Sequence, residues 1–208
     1  MTIILSGGGD PEVVMPIDQY FSSIINLRKT VLYIPIAMEN HVFSYSECFA
    51  WFKRTYSAYD VINVECCTDL ITVNLDSRYG AVYIGGGNTF KLLDRIQHSG
   101  FAPQIHAYLA SGGILYGGSA GAIVCGKTIA PAIGADDNLV GLEDLYGLNL
   151  LDDHDVFCHY EPNKHDSYID GLNGNYYLLY EESGLIFNGA HAARIGRPFV
   201  HKSSSFAS

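Results

Sequence analysis

Residues 80–90 read Gly-Ala-Val-Tyr-Ile-Gly-Gly-Gly-Asn-Thr-Phe, and residues 113–121 read Gly-Ile-Leu-Tyr-Gly-Gly-Ser-Ala-Gly. Each stretch is an apolar run that breaks into glycine at the point where a strand should hand over to a helix. Working outward, the same pattern recurs. Ile3–Leu5 runs into Gly7-Gly8-Gly9, and residues 30–37 (TVLYIPIA) and 61–66 form two more apolar, β-branched segments. Between them, residues 16–26 and 44–59 carry apolar positions at helical spacing, the latter with Phe49, Phe52 and Tyr56 on one side. Residues 89–98 and 101–111 read as helices in the same way, and Ala120 to Cys125 opens another. Continuous apolar strands alternating with helices are the signature of a parallel sheet covered on both faces. The expected fold is α/β: a doubly wound, mostly parallel sheet with helices on both sides. Ligands of such sheets bind beyond the carboxyl ends of the strands, where both glycine loops fall.

The last third reads differently. Residues 139–151 are apolar but irregular, residues 156–160 predict a strand, and residues 176–182 predict the end of a helix. Residues 185–188 and 192–195 predict a terminal hairpin around Gly189, and the polar tail from His201 to Ser208 is expected to fray. With 208 residues, no internal repeat and no linker rich in proline or serine, one domain over 1–208 is expected. Hydrophobic residues at 48% against 16% charged exclude a disordered chain. A formal net charge of −10 argues against nucleic-acid or anionic-membrane partners, because no basic stripe exists to neutralise phosphates. No apolar run approaches membrane-spanning length and no basic leader precedes the first one, so a cytoplasmic location is expected. The five cysteines, Cys48, Cys66, Cys67, Cys125 and Cys158, are odd in number and form no Cys-x-x-Cys pair. Neither a disulfide framework nor a metal site is indicated, no cofactor is expected, and Cys125 and Cys158 read as small buried hydrophobes. Homo-oligomerisation is left open.

Gly117-Gly118-Ser119-Ala120-Gly121 has the Gly-x-Ser-x-Gly spacing of a nucleophile elbow, a turn so sharp that glycines flank an exposed serine. An oxyanion hole needs two amides converging on one point about 3 Å from the oxygen. Ala120, after the serine, offers one. Gly87, in the neighbouring loop with Gly86 and Asn88, offers the other. A dinucleotide fingerprint starting at Gly85-x-Gly87 is disfavoured, because Phe90 stands where the third glycine belongs. Serine needs a general base, and the base needs an orienting acid. His159, at the end of the apolar run 156–158, is the histidine that a strand end would present on the same edge as Ser119. His154 and His165 lie in polar stretches, and His191 would serve only in the order serine, acid, histidine. For the acid, Asp136, Asp137, Glu161, Glu181 and Glu182 are all available.

On three motifs the chain resembles the peptidase E and cyanophycinase family of serine peptidases. These are Gly85-Gly86-Gly87-Asn88-Thr89-Phe90, the elbow at Ser119, and Cys158-His159-Tyr160 in place of Pro-His-aromatic. The resemblance implies a fold like that of the class I glutamine amidotransferases. It also implies Ser119 as nucleophile, His159 as base, and the Gly87 and Ala120 amides as oxyanion donors. Its acid is matched best by Glu181, with Glu182 a near miss and Asp136 or Asp137 the alternatives. The implied activity is a dipeptidase-like cleavage of short peptides through an acyl-enzyme. An amidase or esterase on the same residues, or a non-catalytic binder of small molecules, are the competing expectations. Peptidase E and the cyanophycinases need a cation near a substrate carboxylate, and the peptidase E pattern carries arginine after the histidine. Here residues 161–182 contain only Lys164 among the strongly basic residues, with Lys91 and Arg194 as substitutes elsewhere. A lysine point charge matches a carboxylate less well than an arginine fork does.

Overall fold

The structure, a computed structural model, describes residues 1–38, 42–189 and 191–202. The apolar runs before residue 120 become strands β1 (Thr2–Ser6), β2 (Thr30–Ile34), β3 (Val64–Cys66), β4 (Tyr79–Ile84) and β5 (Ile114–Gly118). They lie side by side as β3-β2-β4-β5-β1, and every pairing among them is parallel. Helices α1 (Pro11–Ile24), α2 (Tyr45–Ser57), α3 (Thr89–Ser99) and α4 (Phe101–Ala110) fill the crossovers, and the short α5 (Ala120–Ile123) follows β5. Burial on both faces explains why the strands read as unbroken apolar runs. Ile3, Leu5, Leu32, Ile34, Val82 and Ile84 pack into one core with α3, α4 and α5. Ile4, Val31, Tyr33, Ala81, Tyr83 and Tyr116 face the other core with α1 and α2.

That second core is aromatic and holds one carboxylate. Asp18 on α1 is 2% exposed, and its Oδ1 accepts from the Tyr56 hydroxyl at 2.8 Å and the Tyr116 hydroxyl at 2.9 Å. Burial raises the Asp18 carboxyl to about 6, against the lowering effect of the two hydroxyls. α1 begins at Pro11 and runs through Pro16, further upstream than the apolar spacing indicated. α2 starts one residue after Ser44, which forms a capping box with Glu47.

After residue 150 the chain returns to the sheet and adds to it. Strands β8 (Ser183–Phe187) and β9 (Ala192–Gly196) extend the sheet beyond β1, both antiparallel, as the expected terminal hairpin. A second sheet of three strands has the order β10-β7-β6, where β6 is His154–Phe157, β7 is Asn175–Leu178 and β10 is Val200–Lys202. β7 overturns the expected helix over 176–182. Tyr176, Tyr177 and Leu178 are all buried and paired in register with strands on both sides, and a run of aromatic residues suits a strand packed on both faces. α5 stops after Ile123 instead of continuing to Cys125. The irregular apolar segment takes over there, with the Leu148 and Leu150 amides donating to the carbonyls of Val124 and Cys125. The part of the predicted frayed tail at 203–208 lies outside the described residues. No described helix is long and apolar enough to cross a membrane.

Candidate active site

Ser119 sits at the carboxyl end of β5 with φ 50° and ψ −112°, a left-handed geometry costing a non-glycine residue about 1–3 kcal/mol. Close backbone packing imposes it. A Cβ on Gly121 would lie 2.2 Å from the Ile84 carbonyl oxygen, and one on Gly117 would lie 2.4 Å from that of Gly121. The glycines of the elbow are therefore there for contact, and they press the turn against β4. The Ser119 amide is tied to the Ser6 carbonyl of β1 at 3.1 Å.

From the end of β1, the loop Gly7-Gly8-Gly9 reaches the other half of the site. His159, two residues beyond β6, has φ 53° and donates its amide to the Gly7 carbonyl at 3.1 Å. Its ring lies over Gly8: a Cβ there would stand 2.3 Å from His159 Cε1. Glu181, between β7 and β8, lies beside Gly9, whose added Cβ would stand 3.1 Å from Glu181 Cβ. Three side chains distant in sequence thereby meet. His159 Nε2 is 2.8 Å from Ser119 Oγ, and His159 Nδ1 is 2.9 Å from Glu181 Oε1. Histidine and glutamate are each about half exposed, at 47% and 51% of their side chains. Ser119 and His159 face one another, which does not favour the non-catalytic binder.

The other acids have different partners. Asp136 Oδ2 accepts from the Thr89 amide at 2.8 Å and so caps α3 from a distant loop. The Asp137 carbonyl accepts from Asn88 Nδ2 at 2.8 Å, while Asn88 Oδ1 accepts from the Lys91 amide. Glu182 pairs with Arg197 at 3.6 Å. Glu161 pairs with Lys164 at 2.9 Å. Among the other histidines, His154 opens β6 with its ring stacked on Tyr177 and Nδ1 against the Leu151 and Asp152 carbonyls, so it is no solvated loop residue. His165 Nδ1 accepts from the Glu161 amide, and His191 lies in the β8–β9 turn. Around Ser119 the amides of Gly86, Gly87 and Ala120 donate to no partner among the described residues. That leaves them available to an anionic oxygen.

Residues 2–191 match the model of peptidase family S51. The chain belongs to peptidase family S51. This S51 chain is a serine peptidase enzyme, in keeping with its peptidase E resemblance. Two solved structures are similar over nearly its whole length. One is a candidate peptidase E protein from Listeria monocytogenes EGD-e, 25% identical with a TM-score of 0.70 and 98% of each chain covered. The other is a peptidase from an acI-B1 Actinobacterium, 18% identical with a TM-score of 0.71, covering 98% of this chain and 94% of that one. The second likeness is one of fold. No curated protein sequence matches the chain.

In the S51 peptidase, Ser119 and His159 open into a cavity of about 670 Å³. Gly87, Asn88 and Thr89 form one wall, Phe157, Glu161, Lys164 and His165 another, and Asp136, Asp137 and Leu139 a third. Its one lysine is already paired with Glu161. Lys91 donates Nζ to the Met38 carbonyl at 2.6 Å, so it is not simply solvated on its helix. Arg194 lies on the outer strand β9. Cys125 and Cys158 are both buried, and burial raises both thiols, Cys125 to about 12. Cys158 packs beneath the elbow, its Sγ 3.6 Å from the Ser119 carbonyl. Sequence reasoning missed Gly8 and Gly9, although the run Gly7-Gly8-Gly9 after the first strand was the visible signal.

Proposed function

We propose that the chain cleaves short peptides through an acyl-enzyme on Ser119, with His159 as base and Glu181 as the orienting acid. The observation that carries this reading is the continuous contact from Ser119 Oγ through His159 to Glu181, at 2.8 and 2.9 Å. Glu181 accepts a hydrogen bond from Nδ1–H and so holds the tautomer whose Nε2 takes the serine proton as Oγ attacks the carbonyl carbon. The tetrahedral oxyanion is received by the amides of Gly87 and Ala120, which donate to no partner among the described residues, with Gly86 and Asn88 forming the same rim. Protonated His159 then gives its proton to the departing amine, and water repeats the sequence to release the acyl group. A site of about 670 Å³ has the size of small-ligand pockets and favours peptides of a few residues. A single domain over 1–208 belongs to the same reading, supported by β1 pairing with both β5 and the late strand β8.

The cavity does not favour a substrate with an acidic side chain. The cavity wall carries Asp136, Asp137 and Glu161 against one paired lysine, so an acidic substrate side chain would meet charge of its own sign. The test is labelling with a fluorophosphonate probe. Wild type should label, Ser119→Ala should not, and His159→Ala should label far more slowly. Equal labelling of Ser119→Ala would remove the nucleophile assignment.

A further inference from the structure

A second cavity, of about 590 Å³, lies on the α2 side of the sheet at the carboxyl ends of β2 and β4. Its walls are Tyr33, Tyr83, Trp51, Phe43 and Met38. The inner wall is rigid: Phe52 stacks on Tyr33 at 4.4 Å and meets the Tyr83 ring edge-on at 4.9 Å. The outer wall is open, with Phe43 53% exposed. Of the two charged residues on its lining among the described residues, Glu47 is held by the Ser44 amide and hydroxyl, and Arg54 is exposed.

This cavity adjoins the catalytic centre. Gly86 lines it, and a Cβ placed on Gly86 would lie 3.2 Å from Ser119 Cβ and 3.8 Å from Oγ. Met38 lines both cavities, and Gly87, an oxyanion donor in the reading above, lines the other. Direction follows from the proton path. The leaving nitrogen must come within reach of His159, which belongs to the first cavity and not to this one. The remaining substituent of the scissile carbonyl, the acyl half, is the part that extends past Gly86.

We propose that the cavity beside Gly86 is an acyl-side subsite that takes a large apolar side chain, aliphatic or aromatic, of a short peptide. The inference rests on the Ser119 reading for its direction. Burying a leucine or phenylalanine side chain in such walls favours it over glycine by about tenfold or more. Specificity then comes from aromatic packing rather than from a carboxylate–cation pair.

Trp51 is the only tryptophan in the chain, so its emission reports on the cavity directly. Ser119→Ala protein is titrated with Leu-Ala, Phe-Ala, Gly-Ala, Asp-Ala and the reversed Ala-Phe, following tryptophan fluorescence. In parallel, kcat/KM of wild type is measured on the same peptides. Leu-Ala and Phe-Ala should shift the emission and saturate at about tenfold lower concentration than Gly-Ala, with the same order in kcat/KM. Ala50→Gln, on the exposed surface of α2 and projecting into the cavity, should lower the Leu-Ala to Gly-Ala ratio severalfold. Phe43→Ser, opening the outer wall, should do the same. Equal treatment of Leu-Ala and Gly-Ala, a preference confined to Ala-Phe, or a ratio unchanged in both variants would each overturn the subsite. Emission changes that favour Leu-Ala and Phe-Ala with no hydrolysis would sink the proposed chemistry and the acyl-side direction, and leave only an apolar side-chain site. Hydrolysis without discrimination would sink the subsite and leave the chemistry standing.

Discussion

At the scale of single residues, the acid is the point on which sequence and geometry differ most in resolving power. Five carboxylates were available by position, and only Glu181 reaches His159 Nδ1. Asp136, a plausible triad member by its place after the elbow, instead caps α3 through the Thr89 amide. Substitutions should separate these two roles. Glu181→Gln should slow fluorophosphonate labelling by about 10³–10⁴-fold, since an amide cannot hold the imidazole in the required tautomer. Asp136→Asn should leave the labelling rate within about threefold, and Asp136→Ala should cost about 1 kcal/mol of unfolding free energy as a lost helix cap. Labelling rates and urea unfolding curves on the same proteins check both. Nothing in the spacing of these acids could have decided the matter, because the contact spans residues 159 and 181 on separate connections.

At the scale of elements, the strands and helices before residue 120 were legible because their periodicity is strong. The parallel strands are buried on both faces, and the helices between them are amphipathic. Beyond residue 150 legibility fell. Residues 176–178 form a strand because β6 and β10 offer ladders on both sides, and that pairing is a long-range fact. The loop after β1 shows the same limit. Its glycines were visible, but their use as a bed for His159 and Glu181 was not. Gly8→Ala and Gly112→Ala make a matched pair, with φ 98° and 94°, and a Cβ at Gly112 meets nothing within 4 Å. Both should lose about 1–2 kcal/mol of stability from the left-handed backbone. Only Gly8→Ala should also slow labelling, by about 100-fold or more, as the imidazole is displaced. That extra loss should vanish when Gly8→Ala is placed on a His159→Ala background.

For the molecule as a whole, the aromatic core between α1, α2 and the sheet links stability to pH. Asp18 in the folded protein titrates at about 6 instead of its ordinary 3.8, because burial disfavours the charge. The folded state therefore holds this proton more tightly than the unfolded chain. Stability from this group is greatest below about pH 4, falls as pH rises towards 6, and is level above. Between pH 4 and 7 the wild type should lose up to about 3 kcal/mol that Asp18→Asn does not lose. Urea unfolding of both proteins at the two pH values measures the difference. If the two fall in parallel, Asp18 is not the titrating group.

By itself the sequence determined the α/β class, the sites of the two glycine loops, and Ser119 with His159 as the pair to watch. It could do so because strand periodicity and the crowding of a tight turn act over a few residues and leave a local signature. The resemblance favoured Glu181, but only the tertiary structure shows which acid contacts His159, what the first glycine loop packs against, and which residues wall the cavities. Those depend on parallel strands β1, β4 and β5 bringing their carboxyl ends together, with the loops after β6 and β7 folded over them. Contacts between loops so far apart in the chain are set by packing, and no short-range pattern encodes them.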